Sequence, residues 1–69
     1  MENNKIRVML IYPSDFELDN KDLDLNQMEL SALMASEKVG SEGKYFKIDS
    51  KIFEDASDGF MVSIILENL

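Results

Sequence analysis

Apolar and polar positions alternate with period two in three stretches of the chain and recur at helical spacing in one. In the first stretch Ile6, Val8, Leu10 and Tyr12 share one face, and Arg7, Met9 and Ile11 share the other. Side chains of a strand point alternately to its two faces, so residues 6–12 are predicted to be a strand. Both faces are largely apolar, which places that strand inside a sheet or against a partner. Pro13 has no N–H to give to a ladder and ends it.

Residues 14–24 read as a connecting segment. It carries five acids, Asp15, Glu17, Asp19, Asp22 and Asp24, against the single base Lys21, with Phe16, Leu18 and Leu23 available to pin it to the body. A helix is predicted from about Asp24. Two overlapping capping boxes are available, Asp24 with Gln27 and Asn26 with Glu29. Leu30, Leu33 and Met34 form its apolar stripe, extended by Met28, Ala32 and Ala35. Lys38 suits the negative end of the helix dipole, and Gly40 is a natural residue to end it.

Alternation then returns. Phe46, Ile48 and Ile52 share one face, with Tyr45, Lys47, Asp49, Lys51 and Phe53 on the other. Residues 54–59 form a turn cluster that ends in Asp58-Gly59, a hairpin signal with a loop longer than two residues. Phe60, Val62, Ile64 and Leu66 alternate with Met61, Ser63, Ile65 and Glu67. The expected fold is α+β: a single β-α-β-β domain over residues 1–69, with a three-stranded sheet and one helix packed on one face. The helical crossover makes the first two strands parallel, and the last two an antiparallel hairpin.

One helix covers only one face of such a sheet. The other face would expose Met9, Ile11, Met61 and Ile65, with Phe53 or Tyr45 nearby, unless Phe16 and Leu18 fold over it. Contiguous apolar surface of that kind marks an interface. Chain length points the same way. The chain has 69 residues and no Cys or His. At this size roughly 60% of the unfolded surface is buried, and small domains depend on staples or a partner subunit. Self-association into a homodimer is therefore expected. Met28 and Met34 are assigned to the core, leaving Met9 and Met61 as the interface methionines.

The missing residue types also narrow the chemistry. There is no thiol nucleophile, Ser-His-Asp triad or ordinary zinc set, no Ser-x-x-Lys pattern, and no phosphate-cradling glycine loop. Asp15-x-Glu17-x-Asp19 resembles the start of a calcium loop, but its sixth and twelfth positions are Asn20 and Asn26 rather than Gly and Glu. A non-enzymatic protein without cofactor or metal is expected. The longest apolar run, residues 8–12, is too short to span a bilayer. The Met-Glu-Asn-Asn start carries no signal-peptide pattern, so a cytoplasmic location is expected.

Charge supplies the positive indication. Fourteen Asp and Glu against seven Lys and Arg give −7, in a chain 45% apolar and 30% charged, which is a globular composition. Such a surface repels DNA, RNA and anionic lipid, and attracts basic partners. The acids gather in two segments: Asp15, Glu17, Asp19, Asp22 and Asp24 in the first, and Asp49, Glu54, Asp55 and Asp58 in the second. They serve solubility alone, or they imitate a nucleic-acid backbone and occupy a basic groove in place of DNA. A dimer doubles the charge and suits a two-fold symmetric target.

With these features the chain resembles the small acidic inhibitors made by bacteriophages, DNA-mimic proteins among them. Within that class it is most similar to the type with which lytic Bacillus phages inactivate the nucleoid protein HU. The resemblance covers size, acidity, absence of Cys and His, a mixed α/β layout and two acidic segments, and rests on no signature motif. It implies an inhibitor that sits on the DNA-binding arms of HU and strips HU from the chromosome, in the host cytoplasm. The nine acids come from this chain's own charge pattern, and no inhibitor residue is carried over. The bases Lys5, Arg7, Lys21, Lys38, Lys44, Lys47 and Lys51 are scattered, and three of them on the second predicted strand depart from a uniformly anionic surface. Two other readings are an anti-CRISPR or other phage inhibitor that binds a host enzyme through the apolar sheet face, and an assembly domain whose sheet continues across a symmetric interface.

Overall fold

A computed structural model describes residues 5–69, so the Met-Glu-Asn-Asn start lies outside the described residues. The elements are β1 (Ile6–Ile11), β2 (Lys21–Leu25), α1 (Gln27–Ala35), β3 (Lys38–Ser41), β4 (Lys44–Ala56) and β5 (Gly59–Asn68). The strands form one curled, mixed sheet in the order β2-β1-β5-β4-β3. This replaces the expected three-stranded sheet with a helix on one face. Two of the five strands were hidden in segments read as a loop and as the end of a helix.

β2 is Lys-Asp-Leu-Asp-Leu, and it pairs antiparallel with β1, Leu23 opposite Val8 and Leu25 opposite Ile6. Its alternation is plain, yet Asp is poor in strands, and two of them mask the pattern. β3 forms because the helix stops early. At Ser36 the backbone turns extended, while the Ser36 hydroxyl donates to Ala32 O at 2.8 Å and Lys51 Nζ donates to Met34 O at 2.7 Å. The cation at the negative end of the helix is thus Lys51, not Lys38, which lies in β3. Glu42 and Gly43 then take φ of 55° and 77°, the left-handed pair of a two-residue hairpin turn, and return the chain into β4. At its N-terminus α1 starts after Asn26, and of the two possible capping boxes only Asn26 with Glu29 forms. Asp24 belongs to β2.

The parallel neighbour of β1 is β5, with Val8 opposite Val62 and Leu10 opposite Ile64. The chain places β5 between β1 and β4, so the strand after the helix is not parallel to β1 as expected. The β4–β5 hairpin closes through Ala56 and Gly59 around only two residues, Ser57 and Asp58. Glu54 and Asp55 therefore belong to β4 and only Asp58 to the turn, in place of a long loop.

Curling lets the sheet bury its own inner face. Val8, Leu10, Tyr12, Phe46, Val62, Ile64 and Leu66 make the core, and Phe16, Leu23, Leu25, Leu30, Leu33, Val39 and Ile48 pack against it. The opposite sides of the sheet meet through Tyr12 Oη and Ser41 Oγ at 2.8 Å, and through Lys21 Nζ, which donates to Glu42 Oε2 at 2.8 Å. α1 is no second layer, since it has no buried residue. Met28, assigned above to the core, is 81% exposed, and Met34 is exposed too. Phe16 turns inward against Tyr12 and Phe46, with ring centroids 5.0 Å from each, so it does not cover the outer face.

A bulge in β4 re-aims the hairpin. Ile48 faces Leu66, but Ser50 faces Ile65, leaving Asp49 as an extra residue. An inserted residue swaps the faces beyond it. Before the bulge Phe46 and Ile48 point inward. After it Lys51, Phe53 and Asp55 do, opposite Ile64, Val62 and Phe60. Ile52 moves to the outer face. The uninterrupted alternation read from the sequence fails at this point.

Candidate binding surface

The outer face is set by strand register. Its rows run Asp24–Arg7–Met61–Glu54, then Asp22–Met9–Ser63–Ile52, then Ile11–Ile65–Ser50. Met9, Ile11, Met61 and Ile65 thus lie together on neighbouring strands, as an apolar strip with carboxylates of β2 on one flank and Glu54 on the other. All four are half-buried, and Ser63 between them is buried. Asn20 Nδ2 reaches Met9 Sδ at 3.8 Å.

The nine candidate carboxylates do not form a single cluster. Asp15 and Glu17 follow the C-terminal end of β1, and Asp15 accepts from Asn68 Nδ2 at 3.1 and 3.2 Å. Asp19 and Asp22 share a shallow hollow with Lys21 and Glu42. Asp24 and Asp58, far apart in sequence, line one open cleft of about 320 Å³ with Lys5, Arg7, Phe60 and Met61. Glu54 and Asp55 sit on the hairpin beside it. Asp22 and Asp24 run along β2 to this cleft, where Asp58 of the hairpin turn completes the track beside Lys5 and Arg7. Asp49 is apart from it, at the bulge, accepting from Ser50 Oγ at 2.9 Å.

The ion pairs among the described residues are Lys21–Glu42 at 2.8 Å and Lys47–Glu67 at 3.8 Å. Neither uses any of the nine candidate acids, and all nine are exposed. Lys47 faces Glu67 across the ladder, so one of the bases that interrupted the expected anionic surface is matched within the fold. The hydrogen bond and the charge of Glu42 hold the Lys21 ammonium above its ordinary pKa. No group of three acidic side chains is placed to hold a metal ion among the described residues, and no helix there is long and apolar enough to cross a membrane.

Near the hairpin turn the exposed aromatic side chains are Phe53 and Phe60, stacked at 5.1 Å, with Ile52 on the opposite face. Sequence reasoning missed this pair as a unit, because unbroken alternation sends Phe53 to the outer face. The two-residue turn at Ser57-Asp58 would have revealed the pairing, since it sets Phe53 diagonally across from Phe60.

No family model matches the chain, and neither a curated protein nor a solved structure matches it.

Proposed function

We propose that this chain is a non-enzymatic inhibitor that occupies the basic DNA-binding surface of a nucleoid-associated protein such as HU and displaces DNA from it. The observation that carries this reading is that none of the nine exposed carboxylates is ion-paired among the described residues. A partner surface bearing Lys and Arg matches them on binding. Asp22 and Asp24 lie two residues apart on one face of β2, about 6.8 Å along the strand. One DNA strand carries a phosphate about every 3.4 Å of axis, so β2 alone has half that linear density. Asp58 meets Asp24 at the cleft beside the hairpin turn, and Glu54 lies across the same ladder row, beyond Arg7 and Met61. Counterion release and electrostatic steering then act as they do for DNA. The strip Met9, Ile11, Met61 and Ile65 joins two copies back to back and leaves the acidic track at the periphery of a homodimer.

The test is competition. HU is held on a fluorescein-labelled duplex at about 0.1 M salt, where screening is incomplete, and the anisotropy is followed as this protein is added. The wild type releases the duplex. The variant Asp19→Lys, Asp22→Lys, Asp24→Lys keeps its circular dichroism spectrum and releases none. Equal potency of the variant, or no release by the wild type, overturns the reading. The contiguous apolar strip favours a second reading, docking on a host enzyme through the outer face. There Met61→Asp or Ile65→Asp abolishes capture of the enzyme while the acid variant still captures it.

A further inference from the structure

The inner row of β5 does not end where the core ends. Leu66, Ile64 and Val62 are at most 5% exposed, whereas Phe60, the next in the row, is 42% exposed. Phe53 lies opposite Val62 in the ladder and is 66% exposed. The two rings stack with centroids 5.1 Å apart and planes inclined at 31°. β1 pairs with β5 from Met61 onward and β3 with β4 only as far as Lys47, so Phe60 lies one residue beyond the β1 pairing and Phe53 on the open side of β4, at the tip of the hairpin arm. Apolar surface held together in water is costly, and large aromatic side chains are the commonest anchors of protein interfaces.

The chain around the rings points to the partner. Residues 52–60 contain Glu54, Asp55 and Asp58 and no Lys or Arg, while Lys5 and Arg7 line the cleft on the β1 side of Phe60. Asp55 faces Phe60 directly across the ladder, and Asp58 forms the turn. We propose that Phe53 and Phe60 are the apolar anchor by which this arm docks into a basic protein surface. Guanidinium groups stack on the ring faces and pair with the flanking carboxylates. Arginine suits both contacts at once, because its planar cation is weakly hydrated and binds carboxylate with a fork of donors. A second copy is the poorer occupant, since symmetric pairing through the arms brings Glu54, Asp55 and Asp58 of both chains together. The inference rests on the function proposed above and names the anchor within that contact.

The same HU–duplex competition separates the two ideas, run with wild type, Phe53→Ser/Phe60→Ser and Asp22→Lys/Asp24→Lys over a salt series. The serine variant is expected to lose about tenfold or more in potency, the scale of an interface anchor, with the salt dependence unchanged. The lysine variant loses potency and flattens the salt dependence, because it removes charge contacts. If the serine variant equals wild type while the lysine variant fails, the anchor is wrong and the charge-based function stands. If the wild type displaces no duplex, both fall. Sedimentation checks the rival occupant: a dimer that becomes monomeric on serine substitution means that the arm binds a second copy, and the proposal is overturned. Thermal melts confirm folding, and Phe53→Ser alone, at the more exposed ring, replaces the double variant if that does not fold.

Discussion

The molecule contains two aromatic clusters of similar geometry and opposite fate. Tyr12, Phe16 and Phe46 meet at 5.0 to 5.5 Å at one end of the curled sheet. Phe53 and Phe60 meet at 5.1 Å at the other. Phe46 is fully buried, and Lys44 lies over it and over Phe16 with its ammonium 5.4 and 5.5 Å from the ring centroids. That ammonium donates to Asn68 Oδ1, and Asn68 in turn donates to Asp15. Among the described residues no cation lies over the hairpin pair: Asp55 and Asp58 flank it, and Lys5 and Arg7 line the cleft beside Phe60. Ring-to-ring geometry therefore does not tell a core from a contact site. What covers the rings does.

Substitution gives the sharpest break in that comparison. Phe46→Ala removes a fully buried ring and should cost about 3–5 kcal/mol. That approaches the whole stability of a domain this size, roughly 3–10 kcal/mol at the usual 0.05–0.15 per residue. Urea melts followed by circular dichroism should find the variant largely unfolded. Phe53→Ala, by contrast, should cost no more than about 1.5 kcal/mol, the upper range for an aromatic pair. An equal loss from both would show that the hairpin pair is core.

A smaller effect tests the seam at the closed end. Tyr12→Phe keeps the ring stacked but removes the hydroxyl that meets Ser41 Oγ. The expected loss is about 1 kcal/mol, read from the urea midpoint, and a loss above that of Phe53→Ala would make the seam more important to the fold than the arm. The smallest effect belongs to the exposed pair Lys21–Glu42. Because Glu42 raises the Lys21 pKa above 10.5, its contribution is present below that value and is lost as pH rises through the folded-state pKa. The melting-temperature difference between wild type and Lys21→Met should stay constant across roughly pH 7 to 9 and shrink above 10.5. A difference that changes within the lower range would assign the effect to another group.

The legible parts of the fold were those with strong, uninterrupted local signals. β1 and β5 alternate cleanly, the Asn26–Glu29 cap sits where its residues allow, and Asp58-Gly59 does mark a hairpin. β2 was obscured because its alternation is carried by aspartates. On an edge strand the acids face outward and discourage further pairing, so the residues that hid the strand also protect it. β3 was obscured because Lys38 and Gly40 also suit a helix end. Only the cross-sheet contacts of Ser36, Lys51 and the Glu42-Gly43 turn choose between the two. All nine candidate acids were legible one by one, since any exposed carboxylate is. Their separation into a track and the outlying Asp49, and the pairing of Phe53 with Phe60, were not.

By itself the sequence determined the excess of carboxylate over base, the lack of thiol and imidazole, and the apolar rows of β1 and β5, because these depend on composition and local spacing. Tertiary structure decided which acids stay without an ion pair among the described residues, that the sheet has five strands and curls until its edges meet through side chains, and that one extra residue at Asp49 turns Phe53 toward Phe60. Each of these depends on strand register, which is set by contacts between segments distant in the chain and shifts by a whole face when one residue is inserted.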